Sequence, residues 1–265
     1  MLSIQNPYFV YVNSSNRLSG TDANFSYLIE FPSDKKFDRV LVLNALVPKS
    51  WYLVQNGRNT MTLREDAKEV KIELPVGNYS LRNFQSVVSA LLTANSPNTL
   101  TYTITYPSTQ QPDTGKFTYA VDSGLIQCRL IFGDDLYEPF GFSSNSTNLF
   151  VNGSLTSTNV IKLQSEDRVI LHSNCVNNCG RDDVLLSINA STTPMFSSIN
   201  YECFTPEHHA RVLNSQYNNV YNFAITDENG KSLDMNGLNM NFTLLFFKQD
   251  NISEVIKKYI GLIVK

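Results

Sequence analysis

Charge is scarce in this chain. Asp, Glu, Lys and Arg make up 17% of its 265 residues, against about 25% in ordinary soluble domains. The pI is near 5.6, so the basic stripe that general nucleic-acid binding needs is missing and no nucleic-acid partner is expected. No apolar run approaches the roughly 20 residues that span a bilayer. The first residues, MLSIQNPYF, lack the charged and apolar regions of a signal peptide. Four cysteines (Cys128, Cys175, Cys179 and Cys203) are too few for a disulfide scaffold. There is no Gly-x-Ser-x-Gly, no P-loop and no Gly-x-Gly-x-x-Gly, which leaves the common nucleophile and nucleotide motifs unrepresented. Helix formers are thin on the ground.

Aromatics and turn residues are plentiful. The 16 Phe and 13 Tyr, with many Asn, Ser and Thr, exclude disorder and point to a mainly β protein. Along the chain, Tyr8–Asn13 reads as a short apolar strand and Ser14 to Thr21 as a polar loop. From Asn24 to Phe31 the pattern alternates, with Phe25, Tyr27, Ile29 and Phe31 on one face. Arg39–Val47 and Asn241–Phe247 are apolar on both faces, as in strands covered on both sides. Phe25, Tyr27, Ile29, Val40, Val42, Leu244 and Phe246 are therefore expected to be buried.

The middle of the chain has another rhythm. Val70–Leu74 is a strand stopped by Pro75. Ser80 is an N-cap candidate, and Leu81, Phe84, Val88, Leu91 and Leu92 recur at helical spacing to about Ala94. Strands follow at Tyr102–Tyr106, Phe117–Val121 and Ile126–Phe132. An Asn/Ser/Thr-rich stretch, Ser143–Asn159, reads as loop. Strands resume at Arg168–His172 and Asp183–Ile188. Tyr221–Thr226 and Leu233–Met235 flank Asp227–Gly230, a hairpin-turn signal. The ending carries Ile252, Val255, Ile256, Tyr259, Ile260 and Ile263 on one helical face, with Asn251 and Glu254 as a capping box.

These elements predict a single jelly-roll β-sandwich, built from residues 1–65 and 150–265, with a small α/β module, residues 66–149, inserted in it. The first and last strands are expected in the middle of sheets. Trp51, the one tryptophan, is expected to plug a core end.

Candidate chemistry is sparse. Cys175, Cys179, Cys203, His208 and His209 offer loosely spaced zinc ligands, and Cys175 with Cys179 a local disulfide. Tight Cys-x-x-Cys pairs are missing, so a metal-free loop is the expectation. Cys203 with His208 or His209 makes a formal nucleophile–base pair, but no nucleophile motif surrounds it. Asp134-Asp135, Glu166-Asp167 and Asp182-Asp183 are read as solvated loop acids, with calcium as the other possibility. No catalytic, cofactor or metal residue is assigned.

Several runs share an order with a known family. They are Tyr11-Val-Asn-Ser-Ser-Asn-Arg17-Leu-Ser-Gly20-Thr-Asp-Ala-Asn24-Phe25-Ser-Tyr27, and Leu74-Pro75-Val-Gly77-Asn-Tyr79-Ser80-Leu81-Arg-Asn-Phe84. Gly115-Lys-Phe117-Thr, Phe140-Gly141-Phe142 and the ending NFTLLFFKQDNISEVIKKYI follow. Together they resemble the penton, or minor capsid, proteins of virophages and polinton-like viruses. The resemblance implies a structural jelly-roll protein without enzyme activity or cofactor. It implies homopentamers at the fivefold vertices of an icosahedral virion assembled in an infected host cell. The implied partners are further copies of itself and trimers of a double-jelly-roll major capsid protein. Asn13 and Arg17 in the N-terminal arm, and Ile252, Val255, Ile256, Tyr259, Ile260 and Ile263 at the end, are the candidate subunit contacts. The alternative is a carbohydrate- or receptor-binding jelly-roll module, such as a fibre head; an enzyme on a β-sandwich is the remaining reading.

Overall fold

The structure is a computed structural model. It describes residues 4–249, apart from 108–110, 123–124, 165–166, 177–182 and 217. In chain order the first elements are β1 (Ile4–Asn13), a 3-10 turn (Ser14–Asn16), β2 (Ser19–Gly20), β3 (Asn24–Leu28) and β4 (Arg39–Pro48). Next come β5 (Thr60–Glu65), β6 (Lys68–Glu73), α1 (Leu81–Ala94), β7 (Tyr102–Thr105), β8 (Thr118–Val121) and β9 (Cys128–Phe132). Then follow α2 (Tyr137–Phe140), β10 (Ser146–Leu149), β11 (Ser154–Thr156), β12 (Arg168–Ser173) and β13 (Val184–Asn189). The last are β14 (Ser198–Glu202), α3 (Pro206–His209), β15 (Arg211–Val212), β16 (Val220–Asp227) and β17 (Asn241–Gln249). The protein is mainly β, and its sheets are antiparallel throughout the described pairings.

The chain divides into two compact units, residues 1–51 with 166–265 and residues 52–165. The first is a two-sheet sandwich. One sheet runs β1-β17-β4-β14, with β15 on β4 beside β14; the other runs β13-β12-β16-β3-β2. Numbered in chain order, its eight main strands lie 1-8-3-6 in one sheet and 5-4-7-2 in the other. That is the jelly-roll order, in which each sheet takes strands from both halves of the chain. The last described strand is interior, as expected, but among the described residues β1 is an edge strand. Alternation could show that β1 buries one face; it could not show how many neighbours the strand would find.

The core between these sheets holds Phe25, Ile29, Val40, Val42, Leu244 and Phe246, all fully or nearly fully buried. Tyr27 differs from expectation. It is half-buried, because its hydroxyl reaches out to donate to the Tyr11 carbonyl at 3.3 Å. Trp51 is wholly buried in the same core. On the far face of β4 and β17, Leu41, Leu245 and Phe247 form a small second cluster with Leu43, Cys203 and Ala210. This explains why both strands are apolar on two sides. The expected strand at Leu233–Met235 is replaced by a single bridge, Thr226 to Ser232. The Asp227 carboxylate accepts from the Asn229 and Lys231 amides at 2.8 and 2.7 Å, closing a compact turn. Leu233 and Met235 then turn into the core instead of extending a ladder.

The second unit has the sheets β10-β9-β5-β6 and β11-β8-β7, with α1 packed on β7. The Ser80 hydroxyl accepts from the Asn83 amide at 3.2 Å and so caps α1, while Phe84, Val88 and Leu92 face inward. The core is aromatic: Phe84 stacks on Phe117 at 5.5 Å and meets Phe140 edge-on at 4.9 Å.

The boundaries at 65/66 and 149/150 cut through these sheets. β5 pairs with β6 and β9, and β11 pairs with β8, so residues 52–65 and 150–165 go with the second unit. β10 and β11 lie within the stretch read as loop. They are short, threonine-bearing strands that take their hydrogen bonds from β9 and β8, and too few residues alternate to leave a periodic signature.

Candidate assembly surfaces

The N-terminal arm begins where β1 ends. Asn13 closes β1, and its side-chain oxygen accepts from the Ser15 amide at 2.9 Å, starting the 3-10 turn. Ser14 is fully buried: its hydroxyl donates to the Asn239 side chain at 3.0 Å and accepts from the Met240 amide at 3.1 Å. Arg17 donates to the Ser14 carbonyl at 2.8 Å and to the Gly20 carbonyl at 3.2 Å. The guanidinium therefore cross-braces the arm, as its charge is compensated by two carbonyl dipoles. Thr21 and Asn24 close the bend with reciprocal bonds. The arm from Ser14 to Thr21 is thus an ordered bend whose outer side chains face solvent, Leu18 being 58% exposed. Ile252, Val255, Ile256, Tyr259, Ile260 and Ile263 lie outside the described residues.

The other resemblance motifs fall where backbone geometry is demanding. Gly77 bridges to Val54, and Asn78 accepts from the Leu53 amide at 2.8 Å. Gly141 has φ +75°, and an added Cβ would meet the Asn159 carbonyl oxygen at 2.7 Å, so that position has no room for a side chain. Asp113 accepts from the Gly115 amide and from the Tyr106 hydroxyl, which together hold its carboxyl below the usual range.

The described residues among those considered for metal or catalysis do not converge. Among the described residues, no three His, Cys, Asp or Glu side chains gather as a metal site would need. Cys175 is a free, buried thiol that burial pushes up to about 12; Cys179 lies outside the described residues. Cys203 is half-buried, and His208 and His209 sit on the single-turn α3. His172 hydrogen-bonds Asp183 at 3.0 Å and Thr226 at 2.9 Å. Thr226 donates onward to the Asp227 carbonyl, so its hydroxyl is engaged with backbone. Lys49, 5% exposed, spends its ammonium on the Ala190 and Thr193 carbonyls at 2.7 and 2.8 Å; burial holds its pKa below the usual lysine value. Among the described residues, no helix is long and apolar enough to cross a membrane.

Sequence reasoning missed a set of exposed apolar side chains on the first unit. Phe9 and Tyr11, on the outward face of edge strand β1, are 57% and 58% exposed. At the opposite edge of the same sheet, Phe204 just past β14 is 85% exposed and Val212 on β15 is 50% exposed. The signal for the first pair was present: Tyr8-Phe-Val-Tyr-Val12 is apolar at every position, although β1 buries only one face.

A solved structure similar to this chain is the crystal structure of the mavirus penton protein. The match has 11% sequence identity and a TM-score of 0.46, and covers 92% of this chain and all of that one. No family model matches the chain, and no curated protein does.

Proposed function

We propose that this chain is a penton-type minor capsid protein. On this reading it forms homopentamers at the fivefold vertices of an icosahedral virion and contacts trimers of a double-jelly-roll major capsid protein. The observation that carries the reading is the jelly-roll strand order of the first unit, interrupted between its third and fourth main strands by the second unit. The motif runs that resemble virophage and polinton-like penton proteins support it independently, because they span both units. A capsid role asks for folded mass and contact surface rather than a reactive centre. The two apolar cores supply the folded mass, and the exposed apolar side chains supply surface for contact. The carbohydrate-binding alternative would need an accessible aromatic platform; Trp51 is buried and cannot supply it, and the exposed Phe9 and Tyr11 on β1 are the side chains a glycan-binding assay would test.

The test is co-expression with a double-jelly-roll capsid protein, followed by cryo-electron microscopy of the particles. Density for this chain at the fivefold vertices is the expected result. Particles whose vertices are filled without it would overturn the reading. A companion chain ending at Gln249 tests the terminal stripe: folding with loss of incorporation assigns residues 250–265 to a vertex contact, whereas incorporation at wild-type level removes that assignment.

A further inference from the structure

The β1 edge of the β1-β17-β4-β14 sheet differs from that of a protein built to stay alone. Soluble sheets blunt their edges with lysine, proline, bulges or a covering segment. β1 has Pro7 and a bulge between Gln5 and Tyr8, but from Tyr8 to Asn13 it carries no charge and no proline. Among the described residues, β17 is its only strand neighbour. This open stretch presents Phe9 and Tyr11, both more than half exposed. The far edge is β14 with β15; it carries the exposed charges Glu202 and Arg211, and beside them the exposed apolar side chains Phe204, just past β14, and Val212, on β15.

Strand direction relates the two edges. β1 is antiparallel to β17, β17 to β4, and β4 to β14, so β1 and β14 run in opposite senses. When a second copy is related to the first by rotation about an axis near the strand direction, its β14 comes to β1 antiparallel. That is the favoured pairing sense, and the unprotected stretch of β1, Tyr8 to Asn13, is long enough to span the 5 residues of β14. An isologous pairing would set β1 against β1 and leave Phe204 and Val212 uncovered.

We propose that copies of this chain associate head to tail through this sheet, the β1 edge of one against the β14–β15 edge of the next, with Phe9 and Tyr11 packing near Phe204 and Val212 of the neighbour. The occupant of each edge is therefore a second copy of the same chain. Such an interface uses different surfaces on its two sides and propagates until rotation closes a ring. Closure at five rests on the vertex reading above; the edge pairing does not.

The experiment uses the full chain, with mass measured by light scattering after size exclusion. One variant carries Phe9→Lys and Tyr11→Lys, the other Phe204→Lys and Val212→Lys. All four positions are solvent-exposed, and melting curves matching wild type establish that each variant is folded. Wild type should elute as a multimer and each variant at the 29.9 kDa of one chain. An equimolar mixture of the variants should then form a dimer and nothing larger, because each retains one intact edge. A monomeric wild type overturns the inference. So do folded variants that assemble like wild type, and so does an assembly abolished only by removing residues 250–265; these two outcomes leave the vertex reading standing. Vertex density absent from particles, with edge-dependent multimers still present, would instead sink the vertex reading and keep the interface.

Discussion

Replacing Glu65 with alanine should destabilise the second unit by about 3–4 kcal/mol. The Glu65 side chain ends β5 and is 0% exposed. Its carboxylate accepts from the Ser96 hydroxyl at 2.6 Å, the Asn98 amide at 2.9 Å and the Tyr102 hydroxyl at 2.8 Å. It thereby ties β5 to the turn after α1 and to the start of β7. Removing it strands three donors. Tyr102 is 2% exposed, so its hydroxyl has no water to turn to and loses roughly 2 kcal/mol. Ser96 and Asn98 are half-buried and recover some hydration, at about 0.5–1 kcal/mol each. The lost methylene adds about 0.8 kcal/mol, and relief of the buried charge offsets part of the total. Glu65→Gln should cost about half as much, since the amide keeps one acceptor but sets its NH2 group against a donor. Tyr102→Phe should cost about 1–2 kcal/mol and combine sub-additively with Glu65→Ala, because both remove the same bond. Urea titration followed by the far-UV helix signal, to which α1 contributes most among the described residues, measures each value. Glu69→Ala is the comparator. That acid is paired with Arg64 at 3.3 Å on the surface, where a pair contributes about 0–1 kcal/mol. If Glu65→Ala costs no more than Glu69→Ala, the carboxylate is not the clamp described.

Gly141→Ala combines a left-handed backbone with a Cβ 2.7 Å from a carbonyl oxygen, and should cost about 3 kcal/mol or more by thermal denaturation; a melt within a degree or two of wild type would show that the loop yields. Val42→Asp puts an unpaired carboxylate at a 2% exposed core position and should give insoluble protein, so a soluble variant with wild-type near-UV dichroism would contradict the core assignment. In native alkylation at pH 8, Cys203, half-buried, should label well before Cys175. With its pKa pushed up to about 12, Cys175 holds only on the order of one thiolate in ten thousand at that pH. The thiolate fraction rises with pH toward that value, so labelling of Cys175 at pH 8 without denaturant would refute its burial.

The sequence by itself determined the structural class and the most periodic elements. The helix from Leu81 to Ala94, its Ser80 cap and the inward Phe84, Val88 and Leu92 were all legible, because a helix makes its hydrogen bonds locally and shows its buried face every three to four residues. β4 and β17 were legible as two-sided strands because apolar residues occupy both faces. What the tertiary structure alone decided is partnership. Strand pairing joins residues far apart in the chain, and alternation encodes only which face is inward, not which neighbour lies alongside. So β1 was readable as a strand but not as an edge. β10 and β11 were invisible until β9 and β8 supplied their ladders. Glu65 looked like an ordinary acid beside a module boundary, yet its three donors come from 31 to 37 residues downstream. Arg17 carried no sign in the sequence that its charge would be spent on the Ser14 and Gly20 carbonyls. Side-chain chemistry sets what each residue needs; only the folded chain decides which distant group provides it.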